Sequence, residues 1–317
     1  SLSILYDSHT VSNIPVHSFV SQEILGSITE WAFLGFIIAL LIHGVWWSTS
    51  PFYSRPSIIT NSFHLSLLIV AISAWLLIAR FHSFPTFTLF RSNLLYDDFS
   101  SKISILIVLA CFACLLLSYD YLRDQKVAFF EYCVLMLLSC LGGCWLVASY
   151  DFFTIYLTIE LLSLPLYALA AIKTRSLLST EAGLKYFILG AFSSGVFLFG
   201  VSLLYLATGS LSFSEIGQFG ISGSAEGALA SGLSGSIHSA YLIGMCLVLV
   251  GLLFKLTAVP FHMWAPDVYE GAPTPVTAYF STVPKLAVFA ITIRIVYVSF
   301  FEASLEWQQA IVISAIG

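Results

Sequence analysis

AYLIGMCLVLVGLLFKLTAVPF, residues 240–261, is the stretch on which the fold turns. From Ala240 to Phe254 nothing is charged; then Lys255 appears, and Pro260 follows it. A bilayer core of about 30 Å takes roughly 20 apolar residues at about 1.5 Å rise each, so the stretch reads as a membrane-spanning helix. Its lysine is then a charge within hydrocarbon, which is tolerated where it faces a partner or a water-filled path. Its proline has no amide hydrogen and clashes with the carbonyl four residues back, so Leu256 is predicted to lose its helical partner directly after the lysine. The helix is expected to break there, with Thr257 and His262 near enough to join the polar gap. Backbone left unpaired at membrane depth survives only where protein or water covers it, and interrupted helices line ion sites in transporters.

Outward from this helix the pattern repeats. The chain of 317 residues is 59% hydrophobic and only 9% charged, with a mean hydropathy of +0.95, which is the composition of a polytopic membrane protein. Apolar runs recur at about 24–45, 58–79, 102–119, 127–148, 151–172, 182–207, 239–260 and 276–300. The expected fold is therefore all-α, a bundle of about eight transmembrane helices whose seventh is broken. A ninth run opens at Ala310 and reaches Gly317 after too few residues to cross, so the sequence reads as ending within an element.

Two more spans place charge beside proline. In DFFTIYLTIELLSLPLYALAAI, residues 151–172, Pro165 frees the carbonyl of Leu161 immediately after Glu160. In TVPKLAVFAITIRIVYV, residues 282–298, Lys285 follows Pro284 well inside the span. Each has a plainer alternative. Glu160 and Lys255 would serve equally as a structural ion pair, and Lys285 would snorkel to the interface if it lay nearer a helix end. Lys185, behind LLSTEAGLKYF, is either a relay residue or an anchor for the sixth helix. Arg294 is read as structural, paired with Glu302 or Glu306 or with lipid headgroups, and Asp267 and Glu270 as solvated loop acids.

Charge and cysteine usage narrow the class. Arg55, Arg123, Lys126, Lys173 and Arg175 fall in loops after the first, third and fifth spans, while Arg80, Arg91 and Lys102 cluster at one loop opposite. The first side is the cytoplasm- or matrix-like one by the positive-inside rule, and the N-terminus lies across from it. Residues 1–22 hold no Arg-rich targeting segment. All six cysteines sit in apolar helices, which argues against disulfides and metal sites, the CxxC spacing of Cys111 and Cys114 included. The glycines of the 208–237 loop follow no strand and open no helix, so a nucleotide-binding loop is excluded. No metal site, haem pair or nucleic-acid-binding feature is expected.

These residues also carry a resemblance. STEAGLKYFILGAFSSGVFLFG (179–200), YLTIELLSLPLYALAA (156–171) and GLLFKLTAVPFHMWAPDVYEGAPTPVTAYFSTVPKLAVF (251–289) resemble the subunit 2 family of proton-pumping NADH:ubiquinone oxidoreductase, respiratory complex I, and the FKLTAVPFHMWAPDVYEGAPTPV run closely resembles its mitochondrial form, with much of it shared by plastid and bacterial relatives. The resemblance implies an antiporter-like fold with two inverted five-helix repeats, each with a broken helix. Residues 1–126 would be the N-terminal tail and three helices, 127–300 the first repeat and 301–317 the incomplete start of the second, whose remainder would lie in a missing segment or on a separate chain. It further implies that Glu160 pairs with Lys255, that Lys285 is a central lysine of a proton path, and that His262 and Lys185 are relay candidates, with Pro165, Pro260 and Pro284 at the helix breaks.

The implied setting is the mitochondrial inner membrane, with the N-terminus on the intermembrane-space side. Partners would be lipids and other membrane-arm subunits. No cofactor is expected in this chain, and NADH, flavin, iron–sulfur clusters and ubiquinone would belong to other subunits. The competing readings are a sodium/proton antiporter subunit and a non-pumping structural subunit.

Overall fold

The computed structural model describes residues 16–48, 55–83, 86–90, 92–125, 129–173, 175–224, 234–301 and 303–316. Arg91, Lys126, Glu226 and Glu302 lie outside that set. The helices are α1 (Val16–Ser48), α2 (Arg55–Ser83), α3 (Asp98–Gln125), α4 (Phe129–Ala148), α5 (Phe152–Ala170), α6 (Leu177–Thr208), α7 (Phe213–Ser224), α8 (Ser234–Leu256), α9 (Ala265–Gly271), α10 (Thr274–Val298) and α11 (Ser304–Ile316). Eight of these, all but α7, α9 and α11, are long and apolar enough to cross a membrane. The all-α transmembrane bundle is the observed class.

Three segments depart from expectation. The link between the second and third spans folds into a small hairpin, β1 (Phe87–Leu89) paired antiparallel with β2 (Leu94–Tyr96). The segment read as a loop after α6 contains α7, which buries Phe213 and Ile216 completely; its short amphipathic stripe is too polar to register as a span. The last helix begins at Ser304, before the apolar run that starts at Ala310, because helix formation does not require the first turn to be apolar.

Packing follows residue size. α6 and α8 lie against one another through glycines: a Cβ at Gly200 would meet the Val248 nitrogen at 2.8 Å, and one at Gly244 would meet the Gly200 carbonyl oxygen at 2.9 Å. Small residues of this kind let helix backbones approach where lipid offers no hydrophobic drive. α4 is held to α10 by the buried Tyr279 hydroxyl, 2.7 Å from Ser139 Oγ and 3.0 Å from the Met136 carbonyl.

Two arginines tie the N-terminal helices and hairpin together and to the rest. Arg80 of α2 forms a buried ion pair with Glu30 of α1, donates to Thr29 Oγ1 at 2.8 Å, and lies 4.3 Å from the Tyr96 ring. Arg294 of α10 pairs at 2.7 Å with Asp97, between β2 and α3, instead of with Glu306 as expected. A partner 197 positions away in sequence cannot be read from local spacing.

At one end of the bundle the α4–α5 turn is stitched to its neighbours. Tyr150 N–H donates to the Asn93 carbonyl at 2.9 Å, and Asp151 caps α5 by accepting from the amides of Phe153 and Thr154. The Asp151 carboxyl is held above its usual pKa by burial, partly offset by those two amides.

Candidate functional site

α8 stops at Leu256, ahead of Pro260, so the chain leaves the helix before the proline instead of kinking at it. Thr257 makes the turn with φ +59°, a left-handed conformation that strains a β-branched residue by about 1–3 kcal/mol. The amides of Thr257 and Ala258 return to the carbonyls of Phe254 and Leu253, and the Trp264 indole donates to the Phe254 carbonyl at 3.1 Å. After irregular turns the chain resumes as α9.

The carbonyl that Pro260 leaves without a helical donor, that of Leu256, accepts instead from the Thr257 hydroxyl at 2.5 Å. The same hydroxyl accepts from Lys285 Nζ of α10 at 2.7 Å. Lys285 also lies 5.6 Å from the centroid of the Tyr269 ring of α9. The lysine is half-buried and its ammonium is directed to Thr257 at the break. α5 and α10 continue through Pro165 and Pro284.

Lys255 does not form the expected ion pair with Glu160. Its ammonium donates to the Tyr167 hydroxyl of α5 at 3.1 Å and lies 5.6 Å from that ring's centroid. Glu160 is left with Oε1 buried and without a hydrogen-bond partner among the described residues. Sequence reasoning passed over Tyr167, yet a signal was present: seven residues after Glu160 is two helical turns, which puts both on one face of α5. A tyrosine in an apolar run reads as packing, and only its hydroxyl's neighbour reveals more. Tyr167 is set by edge contacts with Tyr186 and Phe187 of α6, and Tyr186 stacks on Trp264 at 4.8 Å.

A cavity of about 10 Å³ between α5, α6 and α8 is lined by Tyr156, Ile159, Ser193, Ser194, Phe197, Gly251 and Lys255. That is about the room one water needs, and its lining surface is almost wholly apolar. Lys185 sits apart from this interior. It faces outward, bridging Glu181 at 2.8 Å and Asp267 at 2.7 Å, so Asp267 is a paired acid and not a merely solvated one. His262 is exposed, its side chain without a hydrogen-bond partner among the described residues. Burial holds the Tyr269 hydroxyl above its usual pKa.

The model for the NADH:quinone oxidoreductase/Mrp antiporter transmembrane family matches residues 149–317, more than half of the chain. The chain belongs to this family. Within the antiporter family it is similar to NADH-ubiquinone oxidoreductase chain 2 of Marchantia polymorpha, 41% identical over 91% of this chain and 57% of that protein. The chain 2 protein of Arabidopsis thaliana is 42% identical over 84% of this chain and 52% of its own length. Among solved structures, a chain of respiratory complex I from Thermus thermophilus superposes with a TM-score of 0.65 and 31% identity, covering 84% of this chain and 52% of that one. The chain thus spans about half the length of the relatives it matches. The antiporter-family match covers every helix of the site: α5, α6, α8, α9 and α10.

Proposed function

We propose that this chain supplies the input half of a proton path in a membrane-arm subunit of NADH:ubiquinone oxidoreductase, in the mitochondrial inner membrane with its N-terminus on the intermembrane-space side. Residues 127–300 act as the first antiporter repeat, 1–126 as the preceding tail and three helices, and 301–317 as the opening of the second repeat. Other membrane-arm subunits, lipids and the segment or chain carrying that second repeat are its partners. Redox chemistry on NADH, flavin, iron–sulfur clusters and ubiquinone belongs to other subunits.

One observation carries this reading: both lysines at the helix break donate to neutral hydroxyls, Lys285 to Thr257 and Lys255 to Tyr167. Elsewhere in the same bundle, Arg80 and Arg294 donate to carboxylates. An arginine keeps its proton and a carboxylate partner favours the charge, which suits a permanent structural tie. A lysine shifts its proton affinity readily when buried, and a hydroxyl both donates and accepts, so it serves either the ammonium or the neutral amine. The interior therefore separates fixed charges from adjustable ones.

The magnitudes agree. Moving one proton against about 150 mV requires about 3.5 kcal/mol, at about 2.3 kcal/mol per charge per 100 mV. Removing the partner of a buried charge changes its free energy by about 3–5 kcal/mol. The shift of about 2.5 pKa units that this asks of Lys285, at about 1.4 kcal/mol per unit, is within the range of about 3–5 units reached by buried lysines.

The test is proton uptake measured alongside electron transfer in vesicles holding the assembled complex. Glu160→Gln and Lys285→Ala are expected to depress uptake at least tenfold with assembly retained. Undiminished pumping by both would remove these residues from the mechanism, and uptake that requires sodium would favour the antiporter alternative.

A further inference from the structure

Resting on the proton-path reading, we propose that Tyr167 is a positioning residue: its hydroxyl is the second seat of the Lys255 ammonium, and Lys255 alternates between Tyr167 and Glu160. The two acceptors lie on one face of α5, seven residues or about 10.5 Å of helix rise apart. One is occupied, at 3.1 Å, and the other has a buried oxygen without a partner among the described residues. A buried acceptor left unpaired is uncommon in native structures and calls for a donor. Lys255, seated on the same helix face at Tyr167, carries such a donor on a flexible four-carbon stem.

Space and shape support the exchange. The cavity of about 10 Å³ is lined by Lys255 of α8 and by Tyr156 and Ile159 of α5. The Tyr167 seat is built as closely. A Cβ at Gly190 would fall inside the van der Waals surface of the Tyr167 hydroxyl, so glycine at that point of α6 is what admits it. Tyr186 and Phe187 hold the ring edge-on at 4.7 and 5.6 Å between centroids. Tyr167 holds the ammonium through its hydroxyl without contributing a charge, and Glu160 would hold it with one. The other ionisable groups of these elements are Tyr156 on α5, Glu181, Lys185, Tyr186 and Tyr205 on α6, His238, Tyr241 and Cys246 on α8, Asp267, Tyr269 and Glu270 on α9, and Tyr279, Lys285, Arg294 and Tyr297 on α10. Lys185 and Asp267 are already engaged with each other, and Lys285 with Thr257.

The experiment uses the assembled complex in vesicles, with Tyr167→Phe, Lys255→Met, Glu160→Gln and Lys285→Ala. Tyr167→Phe keeps the ring and its packing and removes only the hydroxyl. Expected is at least a threefold fall in protons taken up per electron, with no further fall when Tyr167→Phe is added to Lys255→Met. An infrared difference spectrum between resting and turning-over enzyme should contain a tyrosine band that Tyr167→Phe removes and Lys255→Met shifts, a signature packing alone would not produce. Normal stoichiometry in Tyr167→Phe, while Glu160→Gln and Lys285→Ala fail to pump, overturns the second seat and leaves the proton path standing. Normal pumping in Glu160→Gln and Lys285→Ala overturns the path and the seat together. Should Tyr167→Phe not assemble, a tyrosine band unmoved by Lys255→Met overturns the proposal on its own.

Discussion

Lys285 and Thr257 meet at 2.7 Å across the gap between α10 and the end of α8, and Thr257 reaches on to the Leu256 carbonyl that Pro260 leaves without a helical donor. One hydroxyl therefore satisfies the broken backbone and seats the lysine. The strained φ of +59° at Thr257 is the conformation in which it does both. Thr257→Gly should relieve that strain and remove the seat, so assembly is expected to persist while proton uptake falls severalfold. Thr257→Val, which keeps the strain and loses the hydroxyl, should lose uptake and also melt at a lower temperature. Uptake and thermal melting of both variants check this.

Breaking the Asp97–Arg294 pair should destabilise the bundle. Removing one partner of a buried ion pair costs about 3–5 kcal/mol, and the partial exposure of Asp97 places this one near the lower end. Arg294→Gln is expected to lower the amount of assembled protein. Adding Asp97→Asn should cost little more, because the carboxylate it removes has already lost its partner.

Glu30 and Arg80 are more deeply enclosed, each side chain 5% exposed. Glu30→Gln alone should lower the melting temperature, and Glu30→Leu with Arg80→Leu should recover most of the loss, since apolar packing often replaces a buried pair at no net cost. Proton uptake per electron is expected to stay normal in the double variant.

Asp151 sets a pH dependence. Its folded pKa is raised because burial outweighs the two capping amides, so above the unfolded carboxylate range the native state binds more protons than the unfolded state. Stability then falls as pH rises from the ordinary aspartate pKa through the raised one. Asp151→Asn keeps a good cap and should flatten that fall, measured as melting temperature against pH.

Close approach of α6 and α8 can be tested at Gly244. A Cβ there would sit 2.9 Å from the Gly200 carbonyl oxygen, a backbone atom that cannot move aside without the helix. Gly244→Ala is expected to cost about 1–3 kcal/mol through overpacking, read as a lower melting temperature, and Gly244→Leu to prevent assembly.

The eight spans and the break after Lys255 were legible in the linear sequence, and Glu160, Lys255 and Lys285 are each partly buried. Hydropathy along a chain reports the solvent directly, and a missing proline amide acts on a carbonyl only four residues away. What a residue at one depth of the bilayer faces at that depth is a different matter. The identity of each charge's partner, Tyr167 for Lys255, Thr257 for Lys285 and Asp97 for Arg294, came only with the packed bundle. So did the outward position of Lys185 and His262, because neighbours on other helices are chosen by how the helices pack, through contacts such as Gly200 on Gly244, and no local period encodes that choice.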